Sequence, residues 1–512
     1  MSRYDVIVIG AGHNGLTAAT ILARRGRKVV VVERRDQVGG LASRDEFHPG
    51  YRTAGVLHDT SAVRKAVIDE LELRKFGLQV LREPAPVFIP EKDGAGYLHW
   101  RDSGRAKEEI GTRSSKDAEQ YRRYRSFLKR ISPAVRKIFD EFPPDTQSIQ
   151  LTDLWDMGKK AFSVRMLGKT DMMELLRIGP MCVADWVSES FDTEIVRAAV
   201  AGPAVLNGFT GPWSPGTNLN LILAETLSQL AIQGGPAALI DALEQAATAA
   251  GVEIRTGVKV AKVDLDEGIV SGVTLANGEN LEATQVAASC DPKHLFLNLV
   301  PPNLLSLEFE RNVTHYRARG TAAKINLALS DYPEFAGRPD LQPSFIRTGT
   351  SIDDLERAFD PVKYRDFALQ PMLDIYVPTL EDPGLAPAGH HVFSIQAHWV
   401  PYELEGGWTD DSKERLQESV LDTLGAYMPD LRRHVVATAV QSPQDLEKVY
   451  GVTGGHLFHG EHATDQLVLR PTPECARYTT PFRGLFLCGG GSHPGGGITC
   501  APGALATRAM LP

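Results

Sequence analysis

Cysteine is scarce in this sequence, and no two cysteines are spaced for shared chemistry. The five are Cys182, Cys290, Cys475, Cys488 and Cys500, and they form neither a CxxC nor a CxxxxC pair. A redox-active dithiol and a disulfide-stapled secreted scaffold are therefore disfavoured. The pattern favours a reducing, intracellular setting, and we expect a cytoplasmic protein.

Basic runs and long apolar runs are also missing. Lys and Arg number 55 against 64 Asp and Glu, which gives a formal net charge of −9. We therefore expect no nucleic-acid partner. No run of about 18 apolar residues occurs, so no membrane-spanning helix is expected. The first residues, MSRYDVIVIG, start as an apolar strand rather than a targeting signal. Peripheral contact with a membrane through an amphipathic surface stays open.

The first forty residues predict a β-α-β unit. Tyr4–Ile9 is a short β-branched run, typical of a buried parallel strand. Leu16–Arg25 predicts a helix that ends at Gly26, and Lys28–Val32 predicts a second strand. Such a unit implies a right-handed crossover and a parallel sheet.

A glycine motif lies between the first strand and the helix. Gly10, Gly12 and Gly15 form GxGxxG, and Glu33 ends the second strand. The first glycine makes the tight turn, the second lets backbone approach a pyrophosphate, and the third allows close helix–strand packing. Backbone N–H groups at the helix N-terminus, around Asn14, suit phosphates. Glu33 would accept hydrogen bonds from ribose hydroxyls. The alternative is a glycine-rich turn without a ligand.

A second glycine pair follows the acidic residue. Glu33 and Arg34 are followed by Gly39, Gly40 and Leu41, so a further backbone loop can reach the pyrophosphate. No second GxGxxG occurs, which disfavours the layout with two dinucleotides that disulfide reductases use. If the one site holds FAD, NAD(P)H has no evident pocket. Electrons would then leave to oxygen, a quinone or another protein.

Four motifs carry a family resemblance over the whole chain. They are VIGAGHNGLTAA, VVVVERRDQVGGLAS, SPQDLEKVYGVTGGHLFHGE and DQLVLRPTPECARYTTPFRGLFLCGGGSHPGGGITCAPG. On these motifs the sequence resembles the phytoene desaturase and amine oxidase superfamily of FAD flavoproteins. It is most similar to the branch that contains pyridine nucleotide-disulfide oxidoreductase domain-containing protein 2.

The resemblance implies an α/β fold with two parts. A discontinuous Rossmann-like FAD-binding domain (GR2-type) would comprise residues 1–90, 225–300 and 465–512. A substrate domain with a mixed sheet and a helical cap would comprise residues 91–224 and 301–464.

The resemblance also implies contacts with FAD. The backbone of Val260 would contact adenine, and Gly489 to Gly491 would lie along the ribityl chain. Gly497 and Ile498 would open a helix that faces the flavin N1/O2 edge, which suits the negative charge of reduced flavin. The full predicted set is Gly10, Gly12, Asn14, Gly15, Glu33, Arg34, Gly39, Gly40, Leu41, Val260, Gly489, Gly490, Gly491, Gly497 and Ile498.

Two positions depart from the superfamily pattern. Leu41 follows the glycine pair where many members have Arg, and Gly491 stands where many amine oxidases have an acid. Neither change affects the prediction of FAD, but both put a simple amine oxidase assignment in doubt.

His493, in SHPGGG, is the candidate catalytic residue, because the resemblance would put it near the flavin. It would tune the flavin or move a proton; the alternative is that it only shapes the loop. The histidines of HLFHGEH do not converge on a tetrahedral ion, so no metal is predicted. Arg470 is expected to pair with an acid between the domains, and Cys488 to be a buried thiol.

The resemblance implies an FAD-dependent oxidoreductase that desaturates an apolar, isoprenoid- or carotenoid-like substrate by hydride transfer to flavin N5. The electron acceptor would be oxygen, a quinone or a protein. Alternatives are a flavin amine oxidase, a reduced-flavin isomerase, and a carrier of prenylated proteins or lipids like the Rab GDP-dissociation inhibitors. The apolar stripe in 154–206 is expected to be core, with lipid access at a membrane surface as the alternative.

Overall fold

The protein is described by a computed structural model that covers residues 3–81, 83–145, 151–227 and 230–511. Its strands are β1 (Arg3–Ile9), β2 (Val29–Val32), β3 (Glu46–His48), β4 (Tyr51–Arg52), β5 (Val80–Leu81), β6 (Val87–Ile89), β7 (Tyr97–His99), β8 (Ala231–Ile232), β9 (Glu253–Arg255), β10 (Val260–Asp266), β11 (Ile269–Leu275), β12 (Asn280–Ala288), β13 (Ala322–Leu329), β14 (Phe345–Arg347), β15 (Leu373–Tyr376), β16 (His391–His398), β17 (Val435–Gln441) and β18 (Leu485–Leu487).

Helices lie between these strands along the chain. They are α1 (His13–Arg24), α2 (Lys65–Glu70), α3 (Ser103–Gly111), α4 (Ser115–Phe139), α5 (Leu151–Arg165), α6 (Gly168–Ile178), α7 (Val183–Ser190), α8 (Glu194–Val205), α9 (Thr217–Leu227), α10 (Gly235–Ala249), α11 (Pro292–His294), α12 (Leu307–His315), α13 (Ile352–Phe359), α14 (Asp410–Gly425), α15 (Leu431–His434), α16 (Pro443–Tyr450) and α17 (Ala501–Met510).

The first sheet has the strand order β10-β11-β12-β1-β2-β9, with β18 beside β12. β1 runs parallel to β2 and to β12, as the β-α-β pattern predicts. The four valines of β2 are all buried, because helices cover both faces of a parallel sheet. The helix of the unit, α1, starts at His13, three residues before the predicted Leu16. The predicted α/β class is confirmed.

The second sheet is mixed, with the order β17-β13-β16-β15-β14-β6-β7. Most neighbours are antiparallel, whereas β14 and β6 run parallel. One face is apolar: Ile325 of β13 and Ile395 of β16 pack with Leu416 and Val420 of α14. The opposite face carries polar side chains, among them Lys324 and Gln396, which contact the carbonyl of Val56.

Helices α3 to α9 form a helical layer on the second sheet. α7 and α8 are buried, as the apolar stripe predicts; Trp186 and Val196 lie in the core of this layer. The prediction of a core stripe is wrong for most of α5 and α6, where Trp155, Phe162 and Leu176 are exposed, although Ile178 at the end of α6 is buried. In the described part of the chain, no helix is long and apolar enough to cross a bilayer.

Two elements lie across the predicted domain edges. β6 falls inside the predicted segment 1–90, yet it hydrogen-bonds in the second sheet. α12 falls inside the predicted segment 301–464, yet Phe309 and Val313 pack into a core cluster of the first sheet. The division into domains stays a prediction.

Candidate functional site

A cleft opens at the ends of β1 and β2, where the carboxyl ends of parallel strands leave room for a ligand. Its empty volume is about 1080 Å³, a value that includes solvent at the open mouth. The predicted contacts that line it are Gly10, Gly12, Asn14, Glu33, Arg34, Gly39, Gly40, Leu41, Val260, Gly490 and Gly497. The other predicted contacts, Gly15, Gly489, Gly491 and Ile498, lie behind its wall.

Two glycines of the GxGxxG motif have different surroundings. A Cβ atom on Gly12 would have no atom within 4 Å, so this position faces open cleft. A Cβ atom on Gly15 would lie 2.0 Å from the carbonyl oxygen of Gly10, so this position is closed by strand–helix packing. Both match the roles that the motif predicts for its second and third glycines.

The second glycine pair lies against the first loop. The N–H of Gly39 donates to the carbonyl of Ala11 at 2.8 Å, and Gly12 and Gly39 form a parallel bridge. Two stretches of backbone therefore meet at one wall of the cleft, as expected for a diphosphate cradle.

Glu33 follows β2 at the edge of the cleft. Its Oε2 accepts the N–H of Ala11 at 2.8 Å, and its Oε1 accepts the N–H of Arg35 at 2.9 Å. These two bonds fix a buried carboxylate where Val260 forms the neighbouring wall. A carboxylate in this position suits the hydroxyls of a ribose.

The N-terminus of α1 points its free N–H groups into the cleft. Gly12 caps the helix without a side chain, and the first turn holds no acidic residue. Three buried polar atoms on the same wall have no partner within the described residues, namely His13 Nε2, Asn14 Oδ1 and His459 Nδ1. Burial lowers the pKa of His13 to about 4, so this ring is neutral at neutral pH. Unfilled donors at a helix N-terminus fit the phosphates of FAD.

The C-terminal glycines differ in their surroundings. A Cβ atom on Gly489 would lie 2.4 Å from the carbonyl oxygen of Ser289, and one on Gly491 would lie 2.3 Å from Pro292. These two glycines pack against neighbouring backbone, whereas Gly490 lines the cleft. Ile498 is buried, and α17 begins only at Ala501. The expectation that Gly497 and Ile498 open that helix is therefore wrong.

His493 lies outside the cleft lining. Its ring stacks on the ring of Phe139, with 5.8 Å between the ring centroids. Neither ring nitrogen has a hydrogen-bond partner within the described residues. Burial lowers the pKa of His493 to about 3. This position, against the helical layer, does not support the proton-moving alternative for His493.

The HLFHGEH segment supplies structural hydrogen bonds. Glu461 binds Arg319 at 2.6 Å and Arg317 at 3.3 Å. Nδ1 of His456 accepts the N–H of Gly460 at 3.3 Å, and Nε2 of His462 accepts that of Gly496 at 3.1 Å. Within the described ranges, no group of three His, Cys, Asp or Glu side chains is arranged to hold a metal.

Arg470 is fully buried, and its partners are not acidic. It donates to the hydroxyl of Tyr316 at 2.7 Å and to the carbonyls of Gly460 at 2.9 Å and Gly491 at 3.3 Å. All three of these acceptors are neutral. The prediction of an acidic partner is wrong; the guanidinium instead ties the HLFHGEH segment to the C-terminal glycine loop.

A polar cluster that the sequence reasoning missed lies on the second sheet. Lys324 of β13 is buried, and its Nζ lies 2.5 Å from Nε2 of His58 and 2.6 Å from Oγ of Ser394. Gln396 donates to the carbonyl of Val56 at 2.6 Å. The signal was present as polar residues at every second position of KINLAL and FSIQAH, inside otherwise apolar strands.

Burial shifts the protonation equilibria of this cluster. It lowers the pKa of Lys324 well below its ordinary value, and it also lowers the pKa of His58. Both shifts favour the unprotonated forms, and an unprotonated amine can accept a proton. Leu57, between Val56 and His58, lines the cleft, so the cluster and the inner end of the cleft meet at one segment.

Comparisons with known proteins show the family to which this chain belongs. A sequence model of the flavin containing amine oxidoreductases matches residues 15–507. The chain is 34% identical to rat (Rattus norvegicus) pyridine nucleotide-disulfide oxidoreductase domain-containing protein 2, over 99% of this chain and 93% of the rat protein. The resemblance predicted from the motifs is confirmed.

More distant similarities extend over equal lengths. A limonene dehydrogenase component of Castellaniella defragrans is 28% identical, over 100% of this chain and 95% of that protein. The solved structure of cyclohexylamine oxidase from Brevibacterium oxydans superposes with a TM-score of 0.57 at 16% identity, over 99% of this chain and 97% of that one. The structural match shows a shared fold.

Proposed function

The chain belongs to the flavin containing amine oxidoreductase family, and on that premise we propose that it oxidises a carbon–carbon single bond of a largely apolar small molecule. It is a flavin oxidoreductase whose cofactor is FAD. The observation that carries the proposal is the buried contact between Lys324 and His58, which adjoins the cleft through the neighbouring Leu57. Removing a hydride and a proton from adjacent carbons needs a proton acceptor in a water-poor site.

The proposed roles divide simply between the cofactor and the chain. FAD, when bound, supplies the acceptor for the hydride. Lys324 receives the proton at Nζ, and His58 and Ser394 hold that amine in position. Gly12, Gly39 and the free N–H groups of α1 would bind the diphosphate.

The alternative of an amine oxidase receives less support from the side chains. An ammonium substrate is attracted by free carboxylates or by aromatic faces. On the polar face, the carboxylate of Asp374 is already bound by Arg347, at 2.7 and 2.9 Å. Limonene and diapolycopene, in the names of two relatives, are hydrocarbons rather than amines. These points favour oxidation of a carbon–carbon bond.

We propose oxygen, a quinone or a protein as the electron acceptor, because the sequence holds no second GxGxxG motif. We also propose peripheral contact with a membrane through α5, α6 and their junction. Trp155 is 69% exposed, Phe162 63% and Met166 67%, and Arg165 and Lys169 lie exposed beside them. Exposed aromatic and apolar side chains with flanking basic groups suit an anionic lipid surface.

The test is anaerobic bleaching of the visible flavin spectrum of the purified protein. The candidate donors are NADPH, a set of amines, and isoprenoids in micelles. We expect bleaching by isoprenoids alone. Bleaching by amines would establish the amine oxidase instead, and rapid bleaching by NADPH would overturn the assignment of the acceptor. A protein that cannot be loaded with flavin would favour the carrier.

A further inference from the structure

One buried face of the second sheet is polar, and it contacts the carbonyl of Val56, close to Leu57 in the cleft lining. Ser394, Gln396 and His398 alternate along β16, and Lys324 and Asp374 are paired with Gln396 from the two neighbouring strands. All but Asp374 are buried, and Asp374 is half-buried. A purely hydrocarbon substrate would cover these groups and offer them no hydrogen bonds, which is costly.

His398 is a member of this face with unused hydrogen-bonding capacity at both ring nitrogens. Its side chain is 1% exposed, and neither ring nitrogen has a hydrogen-bond partner in the described part of the chain. A neutral imidazole always carries one N–H donor. Leaving that donor buried and unpaired costs about 1–3 kcal/mol, so such groups point to a ligand or an ordered water.

The face is close to electrically neutral, which selects among ligands. Arg347 and Asp374 pair with each other at 2.7 Å. Burial lowers the pKa of His398 to about 4, and lowers that of Lys324 far below its ordinary value. A neutral hydrogen-bond acceptor therefore fits better than a carboxylate, which would need a cation, or an ammonium ion, which would need a free carboxylate.

The spacing of two side chains fits a carbonyl compound. Ala322 of β13 is paired with His398, so Lys324 is a diagonal neighbour of His398 on the same face. Diagonal neighbours across a strand pair lie about 7–8 Å apart. Both side chains therefore belong to one neighbourhood of the face, so that one substrate whose carbonyl oxygen meets the imidazole can also approach Lys324.

We propose that the substrate carries a neutral carbonyl group, as an aldehyde, ketone or ester, which His398 binds by donating its N–H. The bond oxidised is then the one between the α and β carbons. The α carbon loses a proton to Lys324, the β carbon loses a hydride and both its electrons to FAD, and the product is the α,β-unsaturated carbonyl compound. The carbonyl makes the α proton acidic enough for an amine base. The inference rests on the proposed function and narrows its substrate class.

The experiment compares three probes with one branched carbon skeleton. They are citronellal, citronellic acid and 2,6-dimethyl-2-octene, which carry an aldehyde, a carboxylate and no polar group. Their dissociation constants are measured by isothermal titration calorimetry on the purified protein, without turnover. We expect the aldehyde to bind at least about tenfold more tightly than either other probe, the value of one buried hydrogen bond.

Substitutions test whether His398 is responsible for the tighter binding of the aldehyde. His398→Leu should erase it to within about twofold, and His398→Asn, which keeps a donor, should retain part of it. His315→Leu is the matched control, because His315 is exposed at the end of α12 and should change nothing.

The outcomes separate the inference from the function on which it rests. Equal binding of all three probes, or no binding of any, overturns the inference even if a hydrocarbon bleaches the flavin. An aldehyde preference that survives His398→Leu also overturns it. Selective aldehyde binding without bleaching by any donor upholds the binding site and overturns the proposed oxidation.

Discussion

Nζ of Lys324 lies 2.5 Å from Nε2 of His58, in the interior where two parts of the chain meet. Lys324 belongs to a central strand of the second sheet, and His58 follows Leu57, which lines the cleft below the first sheet. This one contact joins the candidate cofactor site to the candidate substrate face. A substitution at this contact should therefore slow turnover and leave cofactor binding unchanged.

We expect Lys324→Met to keep FAD and to slow flavin reduction by substrate about 10²- to 10⁴-fold, because a proton acceptor is lost. Flavin content and the anaerobic reduction rate are the two measurements. Lys262→Met is the control, since Lys262 is an exposed strand lysine whose side chain pairs with Asp264 at 3.0 Å. Equal rates in Lys324→Met and the unchanged protein would remove Lys324 from the reaction.

We expect Gly12→Val to abolish FAD binding without unfolding the protein. A Cβ atom there would meet no protein atom within 4 Å, and Gly12 lines the cleft where the diphosphate is expected. The visible absorbance per protein reports the result, and the thermal unfolding midpoint checks the fold. Gly111→Val at the exposed end of α3, where an added Cβ atom is equally free, is the control. A fully yellow Gly12→Val protein would mean that the site has been assigned wrongly.

His493→Phe should make the protein more tolerant of acid. The folded pKa of His493 is about 3, against an ordinary value of 6.5. The stability that this neutral histidine supports is complete above pH 6.5 and is lost as the pH falls toward 3. Phenylalanine has no such loss, so the variant should gain up to about 2 kcal/mol relative to the parent at pH 5.

Urea unfolding at pH 7.5 and pH 5 measures that gain. The same variant should retain its flavin and its reduction rate, because His493 stacks on Phe139 away from the cleft lining. A large loss of reduction rate with intact flavin would restore His493 as a catalytic candidate.

The exposed face of α5 and α6 should bind anionic vesicles. We expect Trp155→Glu combined with Phe162→Glu to reduce binding to phosphatidylglycerol vesicles at least about tenfold, since apolar area is removed and negative charge added. Vesicle co-sedimentation is the measurement. Tyr364→Glu combined with Leu369→Glu changes two equally exposed apolar residues elsewhere and serves as the control. Equal binding of both double variants would rule out this face.

Local patterns predicted the nucleotide-binding unit well. The strand Tyr4–Ile9, the glycine spacing and the position of Glu33 each follow from short-range sterics, and the structure reproduces all three. The polar face of the second sheet was also present in the sequence, as alternation in β13 and β16. It was not predicted, because alternation tells which side chains share a face but not what covers that face.

Several site features depended on contacts between distant segments. Gly490 and Gly491 are adjacent and identical in sequence, yet one lines the cleft and the other meets Pro292. Arg470 was expected to find an acid, but the nearest acceptors brought to it were two carbonyls and a hydroxyl. The surroundings of His493 also depend on a distant segment, because its ring stacks on Phe139 of the helical layer.

The sequence by itself determined the family and the cofactor, which rest on short motifs spread over the chain, and the local β-α-β geometry, which rests on glycine positions and hydrophobic periods within about thirty residues. Only the tertiary structure decided which polar groups are buried together and which apolar groups stay exposed. The buried Lys324–His58 pair and the exposed face of α5 and α6 both arise this way. The physical reason is that burial, and with it protonation state, depends on segments hundreds of residues apart in sequence.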